Sequence, residues 1–93
     1  MAIFVKDPAA LVDYAVDWTA GYLVNQTITS SAWRVVPDGA GTIVVEAQSI
    51  EPGRTTATLS GGLNGCLYHV TNTVGTSDGR TDERTLVVRV EDR

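Results

Sequence analysis

A chain of 93 residues holds one compact domain, 1–93, because a chain this short buries only about 60 to 65% of its unfolded surface and needs a single core. Its composition, 43% hydrophobic and 19% charged with nine glycines, is too apolar for disorder and too interrupted for a membrane span. The net charge is −4 and the seven basic residues are scattered, which argues against nucleic acid or an anionic membrane as partner.

The opening stretch, Met1 to Pro8, has no positive region followed by a long apolar run, so it does not read as a signal peptide. Cys66 is the one cysteine and cannot close an intrachain disulfide. Both features point to a protein made in a reducing cytoplasm, in which case Asn25-Gln26-Thr27 is a chance match to a glycosylation sequon. Ile3 to Val5 reads as a short edge strand. Asp7 to Trp18 carries two signals. Asp7 as a cap, Pro8 at a first helical position and Ala9-Ala10 spell a helix start. Val12, Tyr14, Val16 and Trp18, alternating with Leu11, Asp13, Ala15 and Asp17, spell a strand with one apolar face. The alternation favours the strand.

From Thr27 onward, short runs of Val, Ile, Thr and aromatic residues are broken by Gly, Pro, Asp and Asn at intervals of roughly 8 to 12 residues, the spacing of a sandwich or barrel. Strands are expected near Ile28 to Val36, Thr42 to Gln48, Thr55 to Ser60, Cys66 to Val74 and Arg84 to Glu91. Turns are expected at Pro37-Asp38-Gly39, Glu51-Pro52-Gly53 and Gly61 to Gly65, with Pro52-Gly53 suited to a type II turn. The last two strands fix their own register, since apolar residues must meet across an antiparallel pair. A two-residue Asp78-Gly79 loop would set Tyr68 against Arg89. A three-residue loop, Ser77-Asp78-Gly79 with Gly79 left-handed, sets Tyr68 against Val88, Val70 against Leu86 and Cys66 against Val90, and is the expectation. About seven strands result, and the fold class is an all-β, immunoglobulin-like β-sandwich.

Catalytic chemistry finds little to work with. Cys66 and His69, three apart on one strand, point to opposite faces, so they form no nucleophile–base pair; Cys66 is expected in the core and His69 outside. A zinc site needs three or four ligands, and the oxygen-rich run Asp78 to Glu83 lacks EF-hand spacing, so no metal or cofactor is expected. Asp13 and Asp17 share one strand face but stand about 13 Å apart at about 3.3 Å per residue, too far for either glycosidase geometry. Gly39-Ala40-Gly41 and Gly61-Gly62 lack the remaining residues of phosphate-binding loops. Trp33 and Tyr68 are assigned to the core. Trp18, at a strand end, is left as the one candidate for an exposed aromatic platform.

Lys6-Asp7-Pro8, Asp13-Tyr14-Ala15-Val16-Asp17-Trp18, Thr27-Ile28-Thr29-Ser30-Ser31-Ala32-Trp33, Leu59-Ser60-Gly61-Gly62, Tyr68-His69-Val70-Thr71-Asn72 and Gly79-Arg80-Thr81-Asp82-Glu83-Arg84 together resemble the phage fibre-tail adaptor proteins, nearly end to end. Tyr22-Leu23-Val24-Asn25-Gln26 departs from that pattern by being more apolar. The resemblance implies a small immunoglobulin-like virion protein, not an enzyme, that attaches a tail fibre to the tail or baseplate, resides in the virion tail, and works in several copies of a symmetric assembly. Asp78, Arg80, Asp82 and Arg84, close together on the Ser77 to Arg84 hairpin, are the candidate partner contacts. The alternatives are a capsid decoration or head-tail completion protein, and a carbohydrate-binding module that would use Trp18.

Overall fold

The computed structural model describes residues 3–19 and 26–92. The apolar stretch 22–25 and Asn25 of the sequon lie outside the described residues. Seven strands run in chain order: β1 (Ile3–Lys6), β2 (Val12–Asp17), β3 (Ile28–Val36), β4 (Ile43–Glu51), β5 (Arg54–Gly61), β6 (Leu67–Thr76) and β7 (Thr81–Val90). They form a four-stranded sheet, β1-β7-β6-β3, packed on a three-stranded sheet, β2-β5-β4. No helix occurs among the described residues. With the strands lettered A to G, the order reproduces the B-E-D and C-F-G sheets of an immunoglobulin sandwich. The first strand joins the last one, in parallel, with Ile3 opposite Val87 and Lys6 opposite Val90.

The helix signal at Asp7 is used in a turn. Asp7 Oδ1 accepts from the Ala9 N–H at 2.8 Å and its carbonyl from the Ala10 N–H at 3.0 Å, after which the alternating pattern takes over. In β2, Tyr14 and Val16 face Ala57 and Thr55 of β5, all four buried, while Asp13, Ala15 and Asp17 face water. The β6–β7 register is the expected one, Tyr68 opposite Val88 and Val70 opposite Leu86, with the Val90 N–H bonded to the Cys66 carbonyl. The three-residue loop 77–79 follows from it: the Thr76 N–H donates to the Arg80 carbonyl at 2.9 Å, and Gly79 sits at φ 86°, which a side chain tolerates poorly. Both strands run further toward this loop than the apolar pattern reaches, because backbone pairing continues through Thr73, Gly75, Thr81 and Glu83.

The core gathers Tyr14, Val16, Trp18, Ala57, Leu59, Tyr68, Val70, Val74, Leu86, Val88 and Val90, drawn from both sheets. Tyr68 is fully buried as expected, and its Oη accepts from the Leu63 N–H at 2.9 Å, the backbone contact that a tyrosine makes at this corner of immunoglobulin folds. Cys66 packs against the core half-buried, and His69 is exposed. The tryptophans are the correction. Trp18, left open as a platform, is fully buried, whereas Trp33 is only half-buried at the core's edge. Trp18 lies just past β2, itself an outer strand, whose alternation turns its indole inward, where the Arg84 guanidinium lies over the ring. β3 is an outer strand, so Trp33 lacks neighbours on one side.

Sequence reasoning passed over Lys6, which is 1% exposed. Its Nζ donates to the Gly61 carbonyl at 2.7 Å and the Asp7 carbonyl at 2.9 Å, tying β1 to the end of β5. Burial pushes the ammonium below its usual range, partly offset by the charge of Asp7.

Candidate interaction surface

At one end of the sandwich, the β6–β7 hairpin tip meets the start of β3: the Ser77 N–H donates to the Thr27 carbonyl, and the Thr27 N–H donates to Ser77 Oγ. The β4–β5 turn stands beside it, its Gly53 carbonyl accepting from the Trp18 N–H at 2.8 Å. Asp78 and Arg80 come together here. The Asp78 carboxylate accepts from Thr76 Oγ1 and the Arg80 N–H, and its Oδ2 lies 3.1 Å from Arg80 Nε. The Thr76 hydroxyl, followed by Arg80, holds the Asp78 carboxyl below the ordinary range. The Arg80 side chain is 70% exposed, against 32% for Asp78.

Asp82 and Arg84 are placed differently. They lie opposite Val74 and Asn72, both buried, and so belong to the inward side of β7. Asp82 Oδ1 accepts from the Glu83 N–H at 2.8 Å. The Arg84 guanidinium lies 4.7 Å from the centre of the Trp18 ring, and its Nη1 donates to the Asp17 carbonyl at 2.8 Å. Arg84 thus bridges the two sheets at their edge and covers the core indole, a cation–π contact worth about 0.5–1 kcal/mol where exposed. The sequence signal for this was available only in three dimensions, because residues 17 and 84 are remote in the chain.

Beneath that bridge, Trp18 Nε1 donates to Thr55 Oγ1 at 3.1 Å and to Asn72 Oδ1 at 3.3 Å. Thr55 Oγ1 also donates to Asn72 Oδ1, and Asn72 Nδ2 donates to Ser31 Oγ at 2.8 Å and the Ala32 carbonyl at 3.1 Å. Trp18, Thr55 and Asn72 are enclosed and the bonds to Ser31 and Ala32 are part-buried, so the network fixes how the sheets meet. A groove of about 460 Å³ opens nearby, between β2 and β7, with Phe4, Val16 and Leu86 as its apolar wall and Asp17 and Arg84 at one end. Among the described residues, no three His, Cys, Asp or Glu gather as metal ligands would.

A second surface lies on the outer face of the four-stranded sheet. Pairing aligns Ile3, Val87, His69 and Val36 in one row across all four strands, and Val5, Arg89 and Leu67 in the next. Ile3, Val5, Val36 and Leu67 are exposed large aliphatics, while Val87 is covered by its neighbours. Val87 and the exposed His69 separate Ile3 from Val36, and the exposed Arg89 separates Val5 from Leu67, so the aliphatics form two small patches at the sides of this face.

No individual curated protein matches the chain. Residues 6–89 match a family model described as podophage GP4 fiber-tail adaptor protein gp77, which takes in β2 to β6 whole, β7 up to Arg89 and, of β1, only Lys6. With that match over most of its length, the chain belongs to the podophage fiber-tail adaptor family.

Proposed function

We propose that this protein is a non-enzymatic link between the tail and a fibre of the virion, present in several symmetric copies, each engaging the tail on one surface and the fibre on another. Family membership implies an adaptor in the virion tail. The observation that supports two separate contacts is the placement of the surfaces. The aliphatic rows lie toward the end of the four-stranded sheet where β1 pairs, whereas the Asp78–Arg80 tip lies at the opposite end of a molecule 42 Å long. The aliphatic patches suit the buried part of an interface, Asp78 and Arg80 at the tip suit its polar rim, and Asp82 and the exposed Arg84 would extend that rim along the sheet margin. Multiple copies would multiply modest contacts into firm attachment.

Labelling virions with antibody fragments against the protein tests this. Label at the junction of tail and fibre is expected, and label on the head would transfer the protein to capsid decoration or head-tail completion. The carbohydrate-binding alternative loses its platform, because the Trp18 ring is enclosed.

A further inference from the structure

β3 and β4 are outer strands of the two sheets, and they lie on the same side of the sandwich. Trp33 and Val35 pair with Asn72 and Val70, while Val45 and Ile50 pair with Leu59 and Thr55. All four partners are buried, so these four side chains point between the sheets. Yet Trp33, Val35 and Val45 are only half-buried, and Ile50 is 46% exposed. Gln48, opposite the buried Ala57, stands on the same side between Val45 and Ile50 and is exposed, so these inward-facing groups make an uncovered mouth that is apolar but for one amide in its β4 wall. At its margin the Trp33 indole N–H, though buried, meets no acceptor among the described residues, so its loss of water is uncompensated.

The backbone of β3 completes the picture. The Val90 N–H to Cys66 carbonyl bond and the Thr76 N–H to Arg80 carbonyl bond put even-numbered residues of β6 in bonded pairs with β7. Odd-numbered residues of β6 therefore bond to β3, at Ser30, Ala32, Arg34 and Val36. The N–H and C=O groups of Ser31, Trp33 and Val35 then point away from the sheet, about 6.8 Å apart. No described strand pairs with them. Between Ser30 and Val36 this edge carries no proline, no bulge and a single charge, Arg34. Two of the three other edges are interrupted: β4 bulges between Val45 and Ala47, and Arg84 occupies the Asp17 carbonyl of β2. Arg34 itself points outward, exposed, and makes no ion pair with the described residues.

We propose that the free edge of β3, from Ser31 to Val35, receives an extended segment of a partner protein as an added strand, with apolar side chains entering the mouth between β3 and β4 and an acidic one opposite Arg34. The walls define the occupant. Outward N–H and C=O groups at every second residue recognise a main chain in extended form. The half-open Trp33, Val35, Val45 and Ile50 ask for apolar groups at alternate positions, and the unpaired cation outside asks for a carboxylate between them. That the partner is a virion protein rests on the adaptor reading; the geometry of the edge does not.

The probe is a heptapeptide of alternating valine and glutamate, added to the isotope-labelled full chain. Amide exchange at Ser31, Trp33 and Val35 is expected to slow at least about tenfold, and the Trp33 indole N–H signal to move. A lysine version of the peptide is expected to bind more weakly, with the order reversed in Arg34→Glu. Val35→Pro removes one outward N–H and no bond to β6 but loses the packing of Val35 against the core, so it is expected to match Val35→Ala in melting temperature and to lose the protection that Val35→Ala keeps. Exchange unchanged by either peptide at millimolar concentration would overturn the proposal. So would protection that appears without peptide as protein concentration rises, since a second copy would then be the occupant. In phage carrying Val35→Pro, tails without fibres, or adaptor missing from otherwise whole tails, support the edge as a working contact, and fully fibred virions refute it. Absence of the wild-type protein from tails would instead sink the adaptor reading.

Discussion

Trp18 is held by its ring and by its nitrogen at once. The ring lies in the core under the Arg84 guanidinium, and the N–H is shared between Thr55 and Asn72. Trp18→Ala therefore opens a cavity and breaks a closed network, and a loss of about 3–5 kcal/mol is expected in urea denaturation. Trp33→Ala is expected to cost clearly less, because the indole is half-exposed and its nitrogen has no acceptor to lose. The order of these two variants checks which indole anchors the fold. A different signature belongs to Asp78. Its carboxyl is held low by the Thr76 hydroxyl and Arg80, so the folded state favours the carboxylate. The stability this gives is full above the ordinary carboxylate pKa of about 3.9 and is lost as pH falls through and below it. Asp17, held low chiefly by Thr19, adds in the same direction. A falling melting temperature from about pH 5 to pH 3 is expected, with a shallower slope in Asp78→Asn. An equal slope in that variant would remove Asp78 from the account.

Among the elements, the β6–β7 hairpin shows best how far patterning reaches. Its register was legible because Tyr68, Val70, Leu86 and Val88 must share one face, and only an odd loop length allows that. Gly79→Ala tests the loop: at φ 86° a Cβ is expected to cost more than about 1 kcal/mol, and Gly79→Asn less, by thermal denaturation. Equal melting temperatures for the glycine and alanine forms would refute the left-handed turn. The strand reading of Val12 to Trp18 succeeded for the same reason as the register, since period-two alternation outweighed a capping signal only one turn long. What could not be read were features that need two distant segments. The burial of Lys6 depends on the Gly61 carbonyl, and the turning inward of Arg84 depends on the end of β2. Asp78, Arg80, Asp82 and Arg84 are close in the chain, but strand alternation sends Asp82 and Arg84 to the inward side of β7 while Asp78 and Arg80 share the tip. Which strands lie at the open side also comes from topology, so the half-exposure of Trp33 had no local signal.

Across the whole molecule, the polar network and the apolar core tie the same strands together. Ser31, Thr55 and Asn72 bring β3, β5 and β6 to the Trp18 nitrogen at the end of β2, so neither sheet can leave without breaking bonds that water cannot readily replace in the interior. At the other end Lys6 joins β1 to β5 across the sheets, and Tyr68 closes the corner after β5. Both ends of the sandwich are fastened through the one core. Unfolding is accordingly expected to be a single cooperative step. In urea, tryptophan fluorescence, which reports mainly the environment of Trp18, and far-ultraviolet circular dichroism, which reports both sheets, should give coincident transitions. If fluorescence changed well before the sheet signal, the two layers would be separable units and the network between them would not be what holds the chain together. Coincidence that survives Arg84→Ala but is lost in Asn72→Ala would locate the coupling in the buried amide rather than in the surface bridge.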